Sequence, residues 1–260
     1  MARDWPVSGD AELRCSAAGV GDQLLEILLP RVCVVCGERM RVCRGRVCTG
    51  CWARLPRLPF PRCDRCGHPT HGFECRWCVL LPPYVRAVRS LCWERPDTTA
   101  QSIVHRFKYG GWPAIADEMA THMARLDWPA DVRRERSAIV PVPLAATRMR
   151  ERGFNQSELL GVALAAEWAV PVWTDVLARA RDTPSQTRLT PEDRIRNVSG
   201  AFRAPPVARA TLRGSHVVLI DDVVTTAATL NACAAALYDG GARILSYVTF
   251  ARAPSSGDRC

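Results

Sequence analysis

Val217-Val218-Leu219-Ile220-Asp221-Asp222-Val223-Val224-Thr225-Thr226-Ala227-Ala228-Thr229 is the stretch whose reading decides the fold. Its first four residues form an unbroken apolar run, the pattern of a strand buried on both faces of a parallel sheet. The acid pair Asp221-Asp222 follows at the strand's carboxyl end, where α/β sheets bind their ligands. The turn then enters a helix spanning 227–238. A helix start offers free backbone N–H groups and a positive dipole end, suited to a phosphate monoester. The hydroxyls of Thr225, Thr226 and Thr229 add donors. Asp221 and Asp222 are placed to accept bonds from two ribose hydroxyls, and to sit near a magnesium ion that bridges to pyrophosphate. Strand-end acids also occur in metal-dependent phosphatases, receiver domains and Walker B strands. The Walker reading fails because the chain has no GxxxxGK[ST] loop.

Outward from this segment, strands and helices alternate. Residues 84–93, 137–142, 170–173 and 244–250 read as strands. Thr98 or Thr99 caps a helix running to Phe107 and ended by Tyr109-Gly110-Gly111. Further helices are expected over 115–126 and from an Asn155 cap through Trp168. Residues 179–200 are polar and rich in arginine, as in a mobile loop. The alternation predicts an α/β domain with a mainly parallel sheet.

The segment before it is of another kind. Eight of the 13 cysteines form four CxxC pairs: Cys33/Cys36, Cys48/Cys51, Cys63/Cys66 and Cys75/Cys78. One CxxC turn directs two thiolates at one ion, and two turns complete a tetrahedral zinc site. Gly37 and Gly67 follow the second cysteine of their pairs and ease the backbone through the knuckle. Sequential pairing gives one Zn²⁺ on Cys33, Cys36, Cys48 and Cys51 and another on Cys63, Cys66, Cys75 and Cys78. A cross-braced pairing uses the same spacing, and Cys43 is a spare thiol. Disulfides conflict with a reducing compartment, and a redox site needs one CxxC rather than four.

The chain carries a net charge of +9, with only Lys108 as lysine among its 35 basic residues. A lone lysine in an arginine-rich chain points to a use for its compact ammonium, with chance retention as the alternative. Residues 31–80 hold ten arginines against Glu38, Asp64 and Glu74. Such a patch suits phosphate partners, single-stranded DNA among them, or a solvated surface. Two tetrathiolate zinc centres would offset much of that charge. Trp52, Phe60, Phe73 and Trp77 suit stacking on bases or the small core of a zinc ribbon. No run reaches the roughly 18 to 20 apolar residues of a membrane span. The early acids Asp4, Asp10, Glu12, Asp22 and Glu26 argue against a secretory signal, which predicts a cytoplasmic protein.

These blocks together resemble the ComF family of competence-associated proteins, within the type I phosphoribosyltransferase superfamily. The resemblance rests on the Asp221-Asp222 segment, on Phe107-Lys108-Tyr109-Gly110-Gly111, and on Pro141-Val142-Pro143-Leu144 with Arg148 and Arg152-Gly153-Phe154-Asn155-Gln156-Ser157. A spaced set (Arg181, Thr183, Gln186, Leu189, Arg194, Asn197 and Phe202) and the double zinc ribbon complete it. Leu24 to Leu29 reads as the end of a short helix stopped by Pro30, which gives a helical lead over 1–30; the resemblance implies a double zinc ribbon over 31–80 and a phosphoribosyltransferase-like domain over 81–260. It also implies binding of phosphoribosyl pyrophosphate (PRPP) with Mg²⁺, and either transfer of phosphoribose to a nitrogen acceptor or a non-catalytic role with single-stranded DNA and the DNA-uptake machinery. Asp221 and Asp222 would hold ribose hydroxyls, joined by Lys108 as a catalytic candidate. Thr225, Thr226, Ala227, Ala228 and Thr229 would hold the 5′-phosphate. Arg148, Arg150 or Arg152 would face pyrophosphate, and 181–197, with Arg181, Gln186 and Arg194, would form a lid. Ala227 departs from the glycine usual at its position. Either that site needs a positive φ, which costs a residue with a Cβ about 1 kcal/mol or more, or the methyl crowds the phosphate.

Overall fold

The central strand is built as its apolar run requires. In the computed structural model, which describes residues 30–40, 45–70, 75–181, 196, 198 and 200–254, Val217 to Ile220 are fully buried. In chain order the elements begin with a short helix α1 (Thr49–Ala53) and strand β1 (Val85–Trp93). Helices α2 (Thr99–Tyr109), α3 (Ile115–Ala124) and α4 (Ala130–Glu135) lead to β2 (Arg136–Pro141). Helices α5 (Ala146–Arg152) and α6 (Gln156–Trp168) precede a two-stranded hairpin of β3 (Ala178–Arg179) and β4 (Phe202–Arg203). Then come α7 (Arg209–Leu212), β5 (His216–Val224), α8 (Ala228–Asp239) and β6 (Ile244–Arg252).

The main sheet has the order β1-β6-β5-β2 with every pairing parallel, the α/β arrangement that the alternation predicts. Its carboxyl ends come together, so Asp221 lies beside Thr249 and the turn after Val142 opens next to β5. Thr98 caps α2 by accepting from the Gln101 N–H at 3.3 Å, and the helix runs on to Tyr109 before Gly110 ends it. Asn155 caps α6 by accepting from the Ser157 N–H at 3.1 Å. Helix α3 stops two residues short of the expected end. The strand expected over 170–173 reduces to one bridge, Val172 to Ile139, because Pro171 removes a donor that a continued ladder would use. The segment read as a loop from 179 begins inside the β3–β4 hairpin.

Each face of the sheet carries its own core. On one face Leu91, Ile139, Val218, Ile220 and Phe250 pack with Ile103, Phe107, Met119 and Leu164 from α2, α3 and α6. On the other, Val85, Val140, Val217, Leu219 and Tyr247 pack with Leu212, Leu230 and Leu237 from α7 and α8. Two polar pairs are buried inside the sheet: Ser90 Oγ with Thr249 Oγ1 at 2.7 Å, and His216 Nε2 with Ser246 Oγ at 2.9 Å.

The cysteine segment folds against this sheet. Cys33, Cys51, Val47 and Trp52 join the first core, and Cys66 joins the second. Along β1, the Val88 N–H donates to Arg65 O and the Trp93 N–H to Pro56 O, both at 2.8 Å. Glu118 of α3 accepts from the Arg46 N–H at 2.5 Å, the Val47 N–H at 3.3 Å and Trp52 Nε1 at 3.2 Å. Gly67 takes φ +65° in its knuckle, and a Cβ there would lie 2.5 Å from the Val88 carbonyl oxygen. Only glycine permits that approach.

Candidate functional site

A cavity of about 370 Å³ opens at the carboxyl ends of β2 and β5. Its floor is Asp221 and Asp222, and one wall is the loop from Val223 into the first turn of α8. The opposite walls come from Lys108 and Tyr109 at the end of α2, from residues 142–145 after β2, and from Arg148, Ser157 and Arg179.

Each acid has a defined partner. Asp221 Oδ1 accepts from Ser157 Oγ at 2.8 Å and from the Asp222 N–H at 2.9 Å. Ser157 is aimed by the Asn155 cap, whose Nδ2 donates to Val142 O at 3.1 Å and so ties α6 to the turn after β2. Burial first, and the charge of Asp222 second, push the Asp221 carboxyl up to about 7. Asp222 is 4% exposed; its Oδ1 accepts from the Val223 N–H at 2.9 Å and its Oδ2 lies 2.6 Å from Lys108 Nζ. Burial works against the Lys108 ammonium, but the Asp222 carboxylate overrides it and holds the amine above the usual lysine range.

The loop's backbone answers the first half of the question posed by Ala227. This residue takes φ 59° and ψ 7°, the left-handed region, immediately before α8. The position therefore needs a positive φ, and the methyl is accommodated among the apolar residues of the second core at 8% exposure. Ala227 O accepts from the Asn231 N–H at 2.8 Å, which starts the helical ladder.

The structure thus brings Asp221, Asp222, Lys108, Thr225, Thr226, Ala227, Ala228, Thr229 and Arg148 to one cleft. Arg150 lies on an exposed side of α5 and is not on the cleft wall. Arg152 is likewise not on the cleft wall; its Nη2 donates to the Tyr109 hydroxyl at 2.8 Å, with its guanidinium 4.7 Å from that ring's centre. Arg181 is outside the wall, while Gln186 and Arg194 lie outside the described residues. Sequence reading left out Arg179, which donates to Pro143 O at 3.4 Å and packs over Phe202 at 5.1 Å. It is one of five arginines between 179 and 196, and only the β3–β4 pairing separates it from the rest.

The thiols form two groups, Cys33, Cys36, Cys48, Cys51 and Cys63, Cys66, Cys75, Cys78, with sulfurs within 4.8 Å of one another in each. This is the sequential pairing. A tetrahedron with Zn–S of about 2.3 Å has sulfur–sulfur edges of about 3.8 Å. Cys33–Cys51 at 3.8 Å and Cys36–Cys48 at 3.7 Å match that edge; Cys63–Cys78 and Cys66–Cys75 at 3.3 Å are tighter. Cys33 Sγ accepts N–H bonds from Val35 and Cys48, and Cys51 Sγ accepts from Arg54 Nη2, as thiolate ligands require. Both groups fit structural zinc. Cys43 lies outside the described residues.

Comparison with known proteins agrees with both halves. Residues 24–79 match the family model of the double zinc ribbon domain, and residues 155–259 that of the phosphoribosyl transferase domain. The DNA utilization protein YhgH of Salmonella typhi is 31% identical over 226 residues, covering 83% of this chain and 94% of that protein. The chain belongs to the ComF family. Competence protein F of Haemophilus influenzae is 26% identical over 219 residues, covering 76% of this chain and 87% of that protein. Competence protein ComFC of Bacillus subtilis is 26% identical over 202 residues, covering 75% and 79% respectively. The ComF chain described here is therefore a phosphoribosyltransferase-fold protein with a double zinc ribbon. Among its described residues no helix is long and apolar enough to cross a membrane.

Proposed function

We propose that the cleft binds PRPP with Mg²⁺. One observation carries this reading: the acid pair ending β5 and the first turn of α8 line the same cavity. Asp221 and Asp222 hold the ribose hydroxyls, and residues 225–229 hold the 5′-phosphate on the positive end of α8. Arg148, which lines the same cavity, is the partner for pyrophosphate. Mg²⁺ bound with the ligand neutralises pyrophosphate charge and makes it a better leaving group. The activity this arrangement serves is phosphoribosyl transfer. The C1′–oxygen bond to pyrophosphate breaks, a bond from C1′ to a nitrogen acceptor forms, and the nitrogen loses a proton. Calorimetry with PRPP and Mg²⁺ tests the site: wild type binds, and Asp221→Asn/Asp222→Asn does not. Absence of heat from the wild type at millimolar PRPP refutes it. Pyrophosphate release across a panel of bases and amines tests the transfer.

A second reading, favoured by the names of the relatives, is single-stranded DNA binding by the arginines of the zinc ribbons at the DNA-uptake machinery. It ranks below the first because two of these arginines turn inward. Arg65 donates to the carbonyls of Val85, Leu81 and Pro82, and Arg62 to that of Leu58. Its test is an affinity for single strands that falls steeply with salt. The need for eight reduced thiols supports a cytoplasmic location.

A further inference from the structure

We propose that Lys108 is a built-in counterion that keeps the acid pair from taking a divalent cation in the free protein, so that magnesium enters the cleft only as its PRPP complex. The proposal rests on the PRPP reading for the identity of that ligand. The masking itself stands on geometry.

Two adjacent carboxylates at the foot of a cleft are an ordinary starting point for a hard cation. Here one of them is already engaged. Lys108 Nζ sits 2.6 Å from Asp222 Oδ2, and no hydrogen bond to another described group competes for that oxygen. The other carboxylate is turned to Ser157 and to the Asp222 N–H. Asp222 leaves little carboxylate surface open, since its side chain is 5% exposed and that of Lys108 20%. A divalent ion would have to displace the ammonium and then share the floor with it, at a distance where like charges repel strongly. A ligand that brings its own magnesium avoids this, because the ion stays on pyrophosphate oxygens.

The residue type fits the role. An ammonium is a compact point charge with three donors. It can hold Asp222 with one proton and offer the others to the cleft, as its partial exposure allows. A guanidinium, the cation used at every other basic position of this chain, is planar and larger. Lys108 is delivered by the last turn of α2, whose Phe107 is fully buried and fixes the helix against the sheet.

The test uses Mn²⁺ as probe, read by electron paramagnetic resonance on the zinc-loaded full chain without PRPP. Lys108→Met is expected to bind one Mn²⁺ at the cleft, and wild type to bind it at least about tenfold more weakly. Adding Asp222→Asn to Lys108→Met should abolish that gain. The proposal is overturned if wild type and Lys108→Met bind Mn²⁺ alike. It is equally overturned if a folded Lys108→Met, with wild-type zinc content, gains none. Should that variant fail to fold, the wild type still decides. Mn²⁺ binding that is as tight without PRPP as with it, and that Asp222→Asn abolishes, overturns the masking, and Mn²⁺ binding that PRPP tightens supports it. A wild type that binds no PRPP defeats the PRPP reading and leaves the Mn²⁺ comparison intact.

Discussion

Replacing Asp222 with asparagine removes one charge from a nearly buried pair and leaves the other in place. The Asp222 side chain is 5% exposed, that of Lys108 is 20% exposed, and the charged atoms are 2.6 Å apart. Breaking a buried ion pair by deleting one partner costs about 3–5 kcal/mol. Lys108 keeps some contact with solvent and has Asp221 nearby, so the expected loss is about 2–4 kcal/mol. For a chain of this size that lowers Tm by roughly 5–15 °C. The assay is thermal and urea unfolding of the zinc-loaded protein, within a double-mutant cycle. Lys108→Met removes the stranded ammonium, so the double variant should be more stable than Asp222→Asn alone, with a coupling of about 1–3 kcal/mol. If Asp222→Asn stays within about 0.5 kcal/mol of wild type, or the two effects simply add, the pair is not the anchor described here.

Three further outcomes are expected. Ala227→Gly relieves about 1–2 kcal/mol of left-handed strain but loses a buried methyl of about 0.8 kcal/mol and loosens the unfolded chain. Its stability should therefore stay within about 1 kcal/mol of wild type and its PRPP affinity within about threefold, whereas a gain of tenfold by calorimetry would mean that the methyl itself obstructs the phosphate. His216 is 1% exposed, and burial lowers its imidazole to about 4. The unfolded chain then binds the proton first, so the stabilising effect of neutral His216 is complete above about 6.5 and lost as pH falls towards 4. Urea midpoints between those limits should fall less steeply for His216→Gln than for wild type; parallel curves would contradict the burial effect. Finally, Cys75→Ser should weaken PRPP binding more than Cys36→Ser, by calorimetry. Leu80, two residues after Cys78 of that second group, accepts from Asn231 Nδ2 of α8 at 2.7 Å, and Arg252, paired with Val224, donates to Cys66 O at 2.7 Å. Equal effects would show that these ties carry no coupling.

What the sequence made legible was local. The apolar run before Asp221 and the Asn155 cap are short-range signals, and the structure bears them out. The CxxC spacing was similarly readable, because two turns of one chain must meet at one ion. The pairing of Lys108 with Asp222 was not readable, since it joins elements from opposite halves of the chain through the packing of α2 on the sheet. The composition isolated the lysine without naming its partner. Ala227 was legible as a departure, but whether φ or steric room mattered depends on a dihedral angle that the sequence does not specify. Arg179 was hidden among similar neighbours until the hairpin singled it out.

The path of the cysteine segment along β1 has one more consequence. β1 ends the sheet order, and a bare edge strand is a template for pairing with another molecule. Its Val88 and Trp93 N–H groups are instead taken by Arg65 and Pro56 of the metal-binding segment. A metal that holds this segment in shape would therefore also keep the β1 edge covered. Withdrawing the metal should bring concentration-dependent self-association, visible by light scattering before helical signal is lost.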